Sequence, residues 1–270
     1  MANEKDPLRI KQWFDTYTSG FCTGYERIDS ALCLKVRHTK NVAIEILDIA
    51  NSLELSAGDC YLAEILALLH DIGRFEQFLR YHTYSDIKSQ DHAALGIEII
   101  DKTGVLKSLD ATEQALIRAV IGQHNRAVLP DTAESRTLFF LKLLRDADKI
   151  DILRVVIGHY SGRDTNEAIP IGIPDVPAVS DAVLENVAAG RTVRFEDVRT
   201  LNDFKLLQVG WVYDLNFPRT YEIIRHRNYL DKIAAVLPRT DRVLHALAAA
   251  RRSLMQPCME ERSRCECQIP

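Results

Sequence analysis

Residues 67–78 of the chain read ALLHDIGRFEQF. Upstream, the ten residues from Tyr61 to His70 carry a single charge, Glu64. A stretch that is apolar on every side reads as a central, buried helix. It ends in His70 and Asp71. A buried imidazole and a buried carboxylate are costly unless something holds them both.

The sequence around this stretch is helical almost throughout. A short helix starts near Leu8, and Gly20 and Gly24 mark its end. From Lys35 to Leu55 the apolar residues Val42, Ile46, Ile49 and Leu53 recur at helical spacing, with an interruption expected at Gly58. Residues 80–90 read as a polar, aromatic loop. Ser89 or Asp91 starts a helix running to about Asp101. Asp110 and Glu113 make a capping-box-like start for the next, which ends near Asn125. Pro130 and Asp131 open a turn, and a long helix spans about Glu134 to His159. Residues 161–180 hold three prolines and two glycines and form the clearest linker, a connection or a lid. Further helices are expected at about 178–189, 200–214, 218–235 and 240–255, with Leu206, Trp211, Tyr213 and Ile223 packing inside them. No pair of alternating apolar strands appears, apart from a short hairpin near Arg191 to Phe195. The expected class is all-α. The expected organisation is an N-terminal extension (1–29), a main helical domain (30–160), the connection (161–180), a C-terminal helical subdomain packed on the core (181–256) and a polar tail (257–270).

The polar residues on the apolar faces carry the chemistry. His38 shares a face with Val42 and Ile46, and His70 follows Leu66 by four. His92 precedes Leu95, Gly96 and Ile99 by three, four and seven. His124 follows Val120 and Ile117 by four and seven, and Asp148 stands likewise toward Leu144 and Leu141. One histidine on an apolar face is more often a satisfied core residue than a ligand. Five helices each aiming polar groups inward need a common reason, because each unpaired burial costs about 1–3 kcal/mol. A shared metal offsets all of them, and neutral imidazoles with ionised carboxylates are donors that Fe, Mn, Co, Ni or Zn accept. His38, His70, Asp71 and Asp148 serve one ion. His92 and His124 serve a second, with Asp71 bridging through its two oxygens. Asp146 and Asp151 compete with Asp148. Asp148 is preferred because its neighbours along the face are apolar, whereas Asp146 is placed on a wetter face and Asp151 beside Arg154.

The order His38, His70-Asp71, Asp148 resembles the HD superfamily of metal-dependent phosphohydrolases. HDIGR resembles its HDIG signature, and DADKID the segment around its final aspartate. His92 in DHAALG and His124 in GQHN resemble the six-ligand, dinuclear branch. The likeness covers about residues 30–160 and implies an HD-domain helical bundle. No Gly-Tyr-Pro motif of the branch that hydrolyses cyclic di-GMP is present, nor a synthetase domain like that of the stringent-response enzymes.

The implied activity is hydrolysis of a phosphate ester or anhydride of a nucleotide or another small phosphorylated metabolite. The cofactors would be two divalent or redox-active transition metal ions, with Mg at a weaker site. The same scaffold also supports mixed-valent di-iron oxygenases, and ligand identity does not separate the two. Asp71, Arg74 and Lys88 are the candidate catalytic groups. Arg74, four after His70, is either a fork for phosphate or a surface ion pair. Lys88, four before His92, either points at an anionic substrate or is a solvated loop lysine. His82 is a weaker candidate, and Asp91 and Gln123 are placed to hold imidazoles from behind.

A net charge of −4 gives no basic field for long nucleic acid. No apolar run is long enough for a membrane span, and the start MANEKDPLRI lacks a signal-peptide core, so the expected compartment is the cytoplasm. A homodimer is possible. Cys22, Cys33 and Cys60 read as reduced thiols. Cys258, Cys265 and Cys267 lie in the tail without a second pair or histidine at zinc-site spacing.

Overall fold

The computed structural model describes residues 2–129, 134–164, 166, 168–169 and 172–255. The expected turn at Pro130-Asp131 and the tail cysteines Cys258, Cys265 and Cys267 lie outside the described residues. The described residues form helices and turns and no strand. The contacts divide the chain into two compact units, residues 1–152 with 166–171 and residues 153–165 with 172–270.

The first unit contains α1 (Lys5–Ser19), α2 (Glu26–Ser52), α3 (Ala57–Leu69), α4 (Gly73–Tyr81), α5 (His92–Thr103) and α6 (Ala111–Ile121). It also holds the larger part of α7 (Ser135–Tyr160). Helix α3 is its centre and packs against α1, α2 and α6. From Leu62 to Leu69 only Glu64 is not fully buried, as a helix apolar on every side requires. Gly58 does not interrupt this helix. The break comes earlier, where Glu54 takes a left-handed conformation (φ 55°) and the Ser56 hydroxyl caps the Asp59 amide.

The chain does break after Leu69. Residues 70–72 form a turn, and α4 is a new helix rather than a continuation of α3. Carboxylate caps start the next two helices: Asp91 accepts from the Ala93 and Ala94 amides, and Asp110 from Glu113. Helices α4 and α5 meet backbone to backbone. A Cβ on Gly73 would fall 2.1 Å from the His92 carbonyl oxygen. Gly73 therefore serves the close packing of α4 on α5.

The second unit carries the end of α7, α8 (Asp181–Ala188), α9 (Leu201–Gly210), α10 (Pro218–His226), α11 (Tyr229–Ala234) and α12 (Asp241–Met255). Helices α8, α9 and α12 pack together. Thr200 and Asp203 form a reciprocal capping box, and the Asp203 carboxylate also accepts from the Ser180 amide and hydroxyl. The hairpin near Arg191 to Phe195 does not form. The Gly190 and Arg191 amides close the end of α8 on Val187 and Asn186, and Phe195–Asp197 make a 3-10 turn. Asn228, left-handed at φ 53°, divides the expected helix 218–235 into α10 and α11.

Candidate metal centre

Five segments of the first unit bring their polar groups to one place. His38 comes from the middle of α2. His70 is the residue that ends α3, and Asp71 follows it in the turn. His92 opens α5, and Asp148 lies on α7. His124 is not on a helical face, as the spacing suggested, because α6 stops at Ile121 and His124 stands in the turn beyond. His70 and His124 thus occupy the carbonyl ends of α3 and α6, where the helix dipole favours a cation.

All four imidazoles are buried and touch in series. Ring centroids lie 5.5 Å apart for His38 and His70, 5.3 Å for His70 and His124, and 4.9 Å for His92 and His124. Each ring is held at Nδ1 by a group that can only accept. His38 Nδ1 donates to Asp151 Oδ2 (2.7 Å) and His92 Nδ1 to Asp86 Oδ2 (2.7 Å). His70 Nδ1 donates to the Ala67 carbonyl (2.8 Å) and His124 Nδ1 to the Ile121 carbonyl (2.7 Å). With the proton fixed on Nδ1, each neutral ring presents a bare Nε2.

Those bare nitrogens face one another and two carboxylates. His92 Nε2 and His124 Nε2 are 3.1 Å apart. Asp71 Oδ1 faces this pair at 3.3 and 3.9 Å, while its Oδ2 lies 3.6 Å from both His38 Nε2 and His70 Nε2. Asp148 Oδ1 is 3.0 Å from His38 Nε2 and 3.7 Å from His70 Nε2. Yet Asp148 Oδ1 and the Nε2 atoms of His38 and His70 are buried without a hydrogen-bond partner among the described residues. Two groups of donor atoms, His38/His70/Asp71 and Asp71/His92/His124, each fall within 4.8 Å of one another. Such a convergence of lone pairs is repulsive until a cation enters it, so the residues present fit metal ions.

The protonation equilibria of the metal-free chain show the same frustration. Burial pushes His70 down to about 4. Burial and the Arg74 charge do the same to His92, also to about 4. At His38 burial and Lys35 push down, but the carboxylates of Asp148 and Asp151 win and raise it to about 9. There a proton stands in for the missing positive charge. Burial opposes ionisation of Asp71, but Lys35, His70 and Arg74 hold it well below the usual carboxylate range.

Of the competing aspartates, Asp146 is not on a wetter face. Asp146 and Asp151 are fully buried, and it is the Asp148 side chain that keeps 20% exposure. Asp151 lies behind the site, against His38. Likewise the partner of His92 is Asp86, whereas Asp91 caps α5 and accepts from Asn125 Nδ2 (2.9 Å). Asp86 had no periodic signal, because it sits in a 3-10 turn (Asp86–Lys88). Arg74 is only 14% exposed and forms no pair with Glu76, which bonds Arg80. Its Nη1 donates to Gln77 Oε1 (2.7 Å), the Tyr84 carbonyl (2.6 Å) and Asp86 Oδ1 (2.8 Å), and its Nε lies 3.5 Å from Asp71 Oδ1. The fully buried Gln77 ties the same loop through Ser89 Oγ (2.9 Å) and the Gln90 carbonyl (2.7 Å). Lys88 is exposed on the 3-10 turn. Lys35, one turn before His38, went unnoticed in the sequence, and its Nζ donates to Asp71 Oδ2 at 2.7 Å.

The family model of the HD domain matches residues 36–153. This stretch is an HD domain, of a superfamily whose members are in general metal-dependent hydrolases. Among curated proteins and solved structures nothing matches the chain. Among the described residues no helix is long and apolar enough to cross a membrane.

Proposed function

We propose that this HD-domain protein is a phosphohydrolase with a dinuclear centre, cleaving a phosphate ester or anhydride of a nucleotide or another small phosphorylated metabolite. His38, His70, Asp71 and Asp148 would hold one ion, and Asp71, His92 and His124 the other. The observation that supports this reading most is the convergence of bare imidazole nitrogens on two carboxylates, split so that each Asp71 oxygen faces one histidine pair. Bound there, two divalent transition ions supply Lewis acidity toward phosphate oxygens and a water acidic enough to attack near neutral pH.

The chain's own groups do the rest. Asp151, Asp86 and two backbone carbonyls lock the imidazoles in orientation and tautomer. The apolar wall of α3 excludes bulk water and strengthens every charge interaction at the site. Arg74 has Nη1 committed to the loop, so it acts on the reaction first by fixing Asp86 and hence His92. Its Nε, buried and 3.5 Å from Asp71 Oδ1, adds its charge to those that keep Asp71 ionised. Lys88, exposed beside Asp86, draws anionic substrates by long-range attraction. No Ser-His or Cys-His nucleophile is required.

The test is to purify the chain without added metal, identify its ions, and assay a panel of phosphate esters and anhydrides under anaerobic conditions. Phosphate release without oxygen, lost in His70→Ala, is expected. Turnover that depends on oxygen, with a mixed-valence iron spectrum, would overturn the proposal in favour of a di-iron oxygenase.

A further inference from the structure

Asp71 is the most contested group of the site. Its Oδ2 is the oxygen that faces His38 and His70 at 3.6 Å each. The Lys35 ammonium already takes that oxygen at 2.7 Å. Two cations, a metal and an ammonium, would compete for one carboxylate oxygen inside a buried pocket, where their mutual repulsion is weakly screened.

The two basic side chains at Asp71 differ in freedom. Arg74 is pinned through Nη1 by three acceptors from α4 and the following loop. Lys35 has one hydrogen-bond partner among the described residues, Asp71 itself. Its Nζ also lies over the face of Tyr84, 5.2 Å from the ring centroid. That ring is fixed, because its hydroxyl donates to the Ala31 carbonyl (2.8 Å). A lysine on four flexible carbons, 16% exposed and seated on an aromatic face, can leave the carboxylate and still keep a favourable site for its charge.

We propose that Lys35 is an exchangeable counter-cation: it pairs with Asp71 in the metal-free chain, yields Oδ2 to the metal, and then binds the anionic group of the substrate. This rests on the phosphohydrolase reading above. No covalent bond is made or broken in the exchange: the Lys35–Asp71 hydrogen bond gives way to coordination of Oδ2. The ammonium replaces a charge that Asp71 would otherwise lack while buried, and it becomes available only once the centre is loaded. Phosphate binding is thereby coupled to metal binding through one side chain.

The experiment uses the full chain and two probes, Mn²⁺ and inorganic phosphate. Mn²⁺ is titrated into metal-free wild type, Lys35→Met, Lys35→Arg and His70→Ala, with free Mn²⁺ followed by electron paramagnetic resonance. Phosphate is then titrated calorimetrically into the Mn²⁺-loaded proteins. Lys35→Met should bind Mn²⁺ several-fold more tightly than wild type, because the competitor is gone. It should bind phosphate about tenfold more weakly, the worth of one charge-assisted hydrogen bond. Lys35→Arg should recover phosphate binding. Unchanged or weaker Mn²⁺ binding in Lys35→Met would show that the lysine does not leave Asp71, and unchanged phosphate affinity would show that it does not reach the anion. Either result overturns the inference while leaving the metal centre intact. Wild type that takes up no Mn²⁺, or His70→Ala that takes up as much as wild type, brings down the phosphohydrolase reading and this inference together. Circular dichroism checks that the variants fold. Lys35→Gln replaces Lys35→Met if methionine does not fold there.

Discussion

Gly73→Ala is expected to destabilise the protein and to weaken its metal binding. An added Cβ would stand 2.1 Å from the His92 carbonyl oxygen and 2.7 Å from the Gly96 amide nitrogen. Ordinary contact begins at 3.4 Å, so α4 and α5 must separate by about 1.3 Å, and both obstacles are backbone. Overpacking of this kind costs about 1–3 kcal/mol. Helix propensity pulls the other way, since alanine is better than glycine inside a helix by roughly 0.5–1 kcal/mol. A net loss of about 1 kcal/mol lowers the melting temperature by roughly 2–4 °C in a unit of this size. The displaced carbonyl belongs to His92, whose Nε2 lies 3.3 Å from Asp71 Oδ1. Moving it by an ångström should lower the metal that the protein binds. Gly96→Ala is the control: its Cβ would meet Ile72 Cγ2 at 3.5 Å and the Gly73 nitrogen at 3.6 Å, both ordinary contacts. That variant should keep its metal and melt at or slightly above wild type. Calorimetric melting and metal analysis of the two purified variants decide the matter. Equal behaviour of the pair, or a Gly73→Ala variant that gains stability with full metal, would refute the close approach of α4 and α5.

His70→Ala and Asp148→Ala should each lose metal while far-ultraviolet circular dichroism stays helical; a variant that keeps its metal removes that residue from the donor set. Asp86→Asn and Asp151→Asn should each weaken metal binding about 10–100-fold, because the amide cannot polarise the imidazole as the carboxylate does, and a chelator competition that finds no change would refute this. The metal-free chain should be most stable near pH 6.5. His70 and His92 titrate near 4 in the fold, below the ordinary 6.5, so their contribution is present above 6.5 and is lost as pH falls toward 4. His38 titrates near 9, so its contribution is present below 6.5 and is lost as pH rises through 9. Urea midpoints measured in chelator from pH 4 to 9 should trace that maximum, and a monotonic profile would contradict it.

The sequence by itself determined the helical class, the buried α3 and the inward direction of His38, His70, His92 and Asp148. These follow from local periodicity and from the cost of burying polar groups, and both are written along one helix at a time. The residues behind the ligands were decided only by the tertiary structure. Asp86 and Gln77 act through a loop without period, and Asp151 was legible as a rival ligand rather than as the group that fixes His38. Face arguments also misjudged water: Asp146 lies fully buried while Asp148 is partly exposed, since exposure depends on what packs over a helix and not on its own pattern. Lys35 shows the same limit. Nothing in its spacing separates it from a surface lysine, and only the meeting of α2 with the turn at 70–72 sets its ammonium against Asp71. Periodicity tells which way a side chain points from its own helix. What it meets there depends on contacts between segments far apart in the chain, and those are fixed only when the whole core closes.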